Sequence, residues 1–246
     1  MAAVPARCCY RMTKNWKKKI MPRKNNLLTR LKQKYRRPLT LTGRYYKVAR
    51  GMLLDTSEIL NTGGINYFLD AGGLLGLVRD GDLIPWDDDL DLSMPVTELP
   101  KFRKLYSRLK RRGWRITEDS LMPADGPCWR KGDPRSIKIR NRNFLYFGRG
   151  RIVMDITLTY KHEGYYWRGA MGKIWRIPAK FYDDHDYIEF AGQPIRIPGQ
   201  VEQYLAFLYG DWKVPKKDHD PVKNDGSLYD DLVKPKSVPI RSTGTV

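Results

Sequence analysis

The stretch IPWDDDLDL, residues 84–92, sets Asp87, Asp88, Asp89 and Asp91 within five positions, a charge density that a bare chain resists. On an extended strand alternate side chains share a face. Asp87, Asp89 and Asp91 are therefore expected on one side, and Asp88, Leu90 and Leu92 on the other. The two leucines belong in a core, which turns the three aspartates toward a cleft. Carboxylates at two-residue spacing are hard oxygen ligands suited to Mg²⁺ or Mn²⁺, with coordination positions left for phosphate oxygens. A divalent ion would also neutralise their repulsion. The blander reading, a solvated acidic turn, fits poorly with leucines that demand burial.

The elements before this stretch strengthen that chemistry. INYFLD reads as a buried strand, and it runs directly into AGGLLGLVRDGD, a glycine pair opening a short helix that ends at Asp80-Gly81. The bare N–H groups of Gly72 and Gly73 can approach a phosphate closely. Strand, glycine pair, short helix and an Asp-x-Asp strand after 15 intervening residues (74–88) is the order used by nucleotidyltransferase-type sites. Arg79, on that helix, can grip a phosphate with two prongs or bridge to Asp82 or Asp87. Trp86 either stacks on a nucleobase or caps the core. Lys138, Arg140 and Arg142 alternate in SIKIRNRN, a row that would neutralise a diphosphate or simply face solvent.

Further out, a helix is expected from about Arg44 to Gly63-Gly64, with Met52, Leu53, Ile59 and Leu60 on one face. Thr97 is a candidate N-cap for a single helix ending at Gly113. WRITEDS, RSIKIRN, FLYFG and RIVMDITLTY are strand candidates, Trp167 onward reads as loop-rich, and VEQYLAFLYG closes with a helix. No internal repeat is visible.

The 246 residues suffice for one sizeable domain or two small ones. The net charge of +19 suggests a polyanion binder until it is mapped: residues 1–50 hold 16 Lys and Arg and no acid, leaving the remainder at only +3. The expected layout is a basic arm at 1–42, a catalytic domain at 43–215 and a polar C-terminal tail at 216–246. The arm is either a solvated tail or a dock for an anionic membrane, a polyanion or an acidic partner. Deleting 1–42 is expected to spare the chemistry. Cys8, Cys9 and Cys128 form neither a disulfide framework nor a four-ligand zinc site. Neither a secretory leader nor an apolar run of roughly 20 residues is visible. The expected location is cytoplasmic or peripheral membrane, or the secretory pathway if anchored otherwise.

LDAGGLLGLVRDGDLIPWDDDLDL resembles the signature of the LicD and fukutin-related branch of the nucleotidyltransferase superfamily, with Leu74 where that branch usually has Thr. The resemblance continues through RIVMDITLTY to IPGQVEQYLAFLYGDW, covering about residues 45–215. It implies an α/β (mixed α+β) nucleotidyltransferase-like core, a short mixed β-sheet flanked by helices. It also implies transfer of a phospho-alcohol, of the phosphocholine or ribitol-phosphate type, from a CDP-linked donor to a glycan hydroxyl with release of CMP. By position Asp89 and Asp91 match the metal-binding pair, Asp87 an accompanying acid and Asp155 a third carboxylate. Mg²⁺ or Mn²⁺ is the implied cofactor, and three scattered cysteines argue against the zinc-binding insert of some relatives.

On this reading Asp155 completes the metal site or takes the acceptor's proton; its blander alternative is a strand acid paired with Arg151 or a lysine. Gly72, Gly73, Arg79, Trp86, Asp87, Lys138 and Arg140 would contact substrate. Two rivals remain: a nucleotidyltransferase using a nucleoside triphosphate on a hydroxyl or RNA, and a non-catalytic polyanion-binding protein acting through the arm. Nucleic acid is not an obligate partner.

Overall fold

The computed structural model describes residues 39–142, 149–216 and 225–231. Helix α1, Gly43–Thr62, buries Met52, Leu53, Ile59 and Leu60 and stops at Gly63, followed by Gly64 at φ +61°. Strand β1, Phe68–Asp70, passes straight into α2, Ala71–Asp80, whose left-handed cap is Gly81. Strand β2, Leu90–Pro95, follows. A 3-10 turn and two short helices, α3 (Leu99–Arg103) and α4 (Tyr106–Arg111), lead to β3, Trp114–Leu121. Then come β4 (Pro134–Arg142), the long β5 (Arg149–His162), β6 (Tyr165–Ala170) and β7 (Lys173–Pro178). The hairpin β8 (His185–Phe190) and β9 (Gln193–Pro198), helix α5 (Val201–Tyr209) and β10 (Leu228–Asp231) complete the described chain.

Strand β5 organises the eight-stranded sheet. Its first part runs parallel to β2 and antiparallel to β4; from Tyr160 it changes partner and pairs with β6, which leads on to β7 and β10. Strands β1 and β3 extend the sheet beyond β2 and β4. One face is apolar: Leu90, Leu92 and Met94 on β2, Met154, Ile156 and Leu158 on β5, and Ile137 and Ile139 on β4 are all at most 1% exposed. Each such side chain contributes about 1.5–3 kcal/mol by leaving water. Alternation then sends Asp91, Asp155, Lys138 and Arg140 to the other face.

The mixed α/β architecture with a mixed sheet is the one expected, and the differences are local. The helix expected from Thr97 to Gly113 is broken at Lys104-Leu105, where i→i+3 bonds tighten the chain, and Thr97 caps nothing. Gly63 leaves no room for a side chain beneath Leu105, which the bend seats there. The stretch after Trp167, expected to be loop-rich, is built of hairpins. Together with the preceding turn at Glu163-Gly164, their turns at Met171-Gly172 and Ala191-Gly192 carry positive φ at both residues, the signature of two-residue type I′ turns. Leu39 and Leu41, 8% and 2% exposed, belong to the core, although composition places them within the basic arm. Part of the polar C-terminal stretch joins the sheet as β10. The strand candidate FLYFG lies outside the described residues, as does the arm before Leu39.

Candidate active site

The acids sit on one in-register row across the sheet. Asp70 on β1 faces Asp91 on β2, Asp91 is beside Asp155 on β5, and Asp155 faces Lys138 on β4. Paired residues in neighbouring strands share a face, so three carboxylates and an ammonium line up on the face opposite the apolar core. Lys138 Nζ donates to Asp155 Oδ2 at 2.6 Å. This is the lysine pairing foreseen as the blander role of Asp155, yet it uses one oxygen only. Asp155 Oδ1 is buried with no hydrogen-bond partner among the described residues.

The acidic loop departs from the expected strand alternation. The strand starts at Leu90, so residues 87–89 are irregular, and the carboxylates of Asp87, Asp88 and Asp89 converge with oxygens within 4.8 Å of one another. Asp88 therefore does not turn away. A turn at Pro85-Trp86 and two backbone bonds, Asp87 N–H to Ile84 O and Leu41 N–H to Asp87 O, fix this loop. Gly72 packs against the Asp87 carboxylate so closely that any Cβ there would collide with it. Gly73 is buried, its Cα turned toward Leu69 and Leu90. One glycine of the pair thus admits an acid, and the other lets helix and strand pack.

Crowding shows in the acidities. Burial, then the charges of Asp87, Asp88 and Asp155, pushes the Asp89 carboxyl up to about 7, against a smaller opposing pull from Lys138. Burial and then Asp89, Asp70 and Asp155 hold Asp91 well above the ordinary range. Burial likewise raises Asp87, and the Asp88 charge adds to it. Carboxylates this close repel one another unless a positive charge offsets them. An orphaned buried carboxylate oxygen beside two acids that resist ionising fits a hard divalent cation. Among the described residues the carboxylates whose oxygens come within 4.8 Å of one another are those of Asp87, Asp88 and Asp89, and the charge of Asp155 also reaches Asp89; a donor set of this kind fits Mg²⁺ or Mn²⁺.

Asp70 is different in kind and carries a role that motif reading did not assign. Its buried carboxylate caps α2 through Ala71 N–H at 2.8 Å. It also accepts from Ser93 Oγ (2.6 Å), Tyr204 OH (2.7 Å), Arg168 Nη1 (2.9 Å) and Tyr182 OH (3.0 Å). Burial alone would raise its pKa; Arg168, Ser93, Tyr204 and the Ala71 amide outweigh that and hold it below the ordinary value. The sequence cue is an aspartate placed one residue before the glycine pair.

Of the other expected contacts, Trp86 is 39% exposed and so does not cap the core. Arg79 takes Asp80 in a bidentate pair at 2.9 and 2.7 Å; of its expected protein partners, Asp82 instead accepts from Tyr46 OH. Arg140 lies on the same face as Lys138, and Arg115 on β3 stands directly opposite it. Like charges so placed repel, and neither guanidinium has an ion-pair partner among the described residues. Arg115 was not foreseen, because its significance lies in register and not in any motif.

A family model described as LicD/FKTN/FKRP, nucleotidyltransferase domain, matches residues 64–200. The chain is 25% identical over 162 residues to the mouse ribitol 5-phosphate transferase FKRP, covering 62% of this chain and 29% of that protein. It is 24% identical over 187 residues to the ribitol-5-phosphate transferase FKTN of Macaca fascicularis, covering 72% of this chain and 35% of the relative. The chain thus spans about a third or less of these curated relatives. A lincomycin-bound crystal structure of the lincosamide antibiotic adenylyltransferase LnuA overlaps 70% of this chain and 93% of its own, at 15% identity and a TM-score of 0.41. No helix among the described residues is long and apolar enough to cross a membrane.

Proposed function

The chain belongs to the LicD/FKTN/FKRP nucleotidyltransferase-domain family, and from that premise we propose that it transfers a phospho-alcohol from a CDP-linked donor to a glycan hydroxyl. The observation that carries the reading is the register Asp91–Asp155–Lys138 with Asp155 Oδ1 left unpartnered. Asp89, Asp91 and Asp155 would hold Mg²⁺ or Mn²⁺, which supplies positive charge to the donor's diphosphate. Phosphoryl transfer asks mainly for positioning and charge neutralisation. Lys138 keeps the Asp155 carboxylate oriented. Arg140 and Arg115, uncompensated on the same face, provide donors for phosphate oxygens. Trp86, exposed at the edge of the acidic loop, offers a face for cytosine to stack on.

The acceptor oxygen attacks the phosphorus distal to cytidine as the bond from that phosphorus to CMP breaks. Its proton passes to a carboxylate of the same cluster. Donor identity is tested by incubating the protein with CDP-ribitol, CDP-choline, CDP-glycerol and CTP in the presence of Mg²⁺. CMP release from one of the CDP-alcohols supports the reading. Pyrophosphate from CTP, without CMP from the others, would overturn it in favour of nucleotidyl transfer.

A further inference from the structure

On the outer ribbon of the sheet, β6 and β7 pair Trp167 with Arg176 and, one residue on, Arg168 with Trp175. Consecutive side chains point to opposite faces, so Arg176 lies on the side of the ribbon away from Arg168 and its Asp70 partner. There the guanidinium sits over three rings: Tyr229 at 4.5 Å, Tyr165 at 4.6 Å and Trp167 at 5.6 Å from their centroids. Its side chain makes no hydrogen bond or ion pair among the described residues. Beside it opens a pocket of about 390 Å³ walled by Tyr165, Pro178, Phe207 and Tyr229.

A guanidinium packed among aromatic rings with no protein oxygen to bind keeps its N–H donors for a ligand, and two of them match two oxygens of a phosphate. Because the rings already fix it, little side-chain freedom is lost on binding. The volume is at the small end of ligand sites, enough for a phosphate and one carrier ring or polyol. We propose that this pocket is a second binding site, separate from the acidic cluster, for a phosphorylated sugar or polyol. Arg176 holds the phosphate, and Pro178 and Phe207 cover the carrier's C–H surface.

The test is calorimetric titration of the full chain with ribitol 5-phosphate, glucose 6-phosphate and unphosphorylated ribitol, all in EDTA so that divalent cations are absent. Both phosphates should bind and ribitol should not. Arg176→Gln should weaken binding about tenfold or more, and Tyr229→Leu, at a ring 46% exposed, should weaken it in the same direction. Asp91→Asn should leave it unchanged. The proposal is overturned if neither phosphate binds, if ribitol binds equally, or if binding survives both pocket variants. Binding lost in Asp91→Asn but kept in Arg176→Gln would place the phosphate at the acidic cluster instead. Near-UV circular dichroism checks that each variant is folded.

Discussion

A carboxylate whose pKa rises on folding carries more protons in the folded than in the unfolded chain, so its contribution to stability falls as pH rises. Asp89 is raised to about 7, and Asp91 and Asp87 shift the same way. In EDTA the protein should therefore lose stability between the ordinary aspartate range and about pH 7, by on the order of 4 kcal/mol from Asp89. Asp70 runs opposite: its lowered pKa makes its contribution present above the ordinary range and lost as pH falls. The stability maximum without metal should lie on the acid side of neutrality. Thermal melts from pH 3 to 8 check this; Mg²⁺ should restore the neutral-pH loss, and Asp89→Asn should flatten it. Arg115→Gln removes one of two opposed positive charges and should stabilise the protein by up to about 1 kcal/mol. The same variant should raise KM for the CDP-alcohol several-fold while leaving kcat within about twofold, as melts and steady-state kinetics would show.

At the scale of elements, the acidic loop is held from outside its own strand. Leu41 is 2% exposed and donates its N–H to Asp87 O, while Gly72 of α2 makes room for the Asp87 side chain. Truncation to residue 42, expected from composition to spare the chemistry, instead removes a piece of the core. A chain starting at Leu39 should keep metal affinity and fold; one starting at Gly43 should lose stability by about 2–5 kcal/mol, as denaturant titration would show. Gly72→Ala should displace Asp87 and weaken Mg²⁺ binding tenfold or more with α2 intact. The strand–glycine–helix order was legible because INYFLD, Gly72-Gly73 and Asp80-Gly81 are strong local signals. The hairpins from the end of β5 onward were not: Glu163-Gly164, Met171-Gly172 and Ala191-Gly192 lack the Asn or Asp that usually marks such turns. The break at Lys104-Leu105 was equally hidden, since it answers to a contact with Gly63, about 40 residues upstream.

For the whole molecule, one buried ion pair joins β1, at one edge of the sheet, to β6, beyond the point where β5 changes partner. Asp70 on β1 and Arg168 on β6 meet at 2.9 Å with 1% and 14% of their side chains exposed. Tyr182 and Tyr204 bring the segment before β8 and helix α5 to the same carboxylate. Removing one partner strands a buried charge, so Arg168→Met should cost about 3–5 kcal/mol in unfolding free energy. A cost below 1 kcal/mol in denaturant titration would show that the network is dispensable. This long-range network was illegible in the chain, where its members are 98 to 134 residues from Asp70. The acids themselves were legible because alternation with Leu90 and Leu92 betrays them locally; the converging of Asp88 with Asp87 and Asp89 was not, because it depends on where the strand begins.

The central claim is that Asp89, Asp91 and Asp155 share a divalent cation. Electron paramagnetic resonance of Mn²⁺ titrated into the full chain tests it most directly. Bound Mn²⁺ displaced by Mg²⁺, and lost in both Asp91→Asn and Asp155→Asn with the fold retained, is the predicted result. Unchanged Mn²⁺ binding in either folded variant would contradict it.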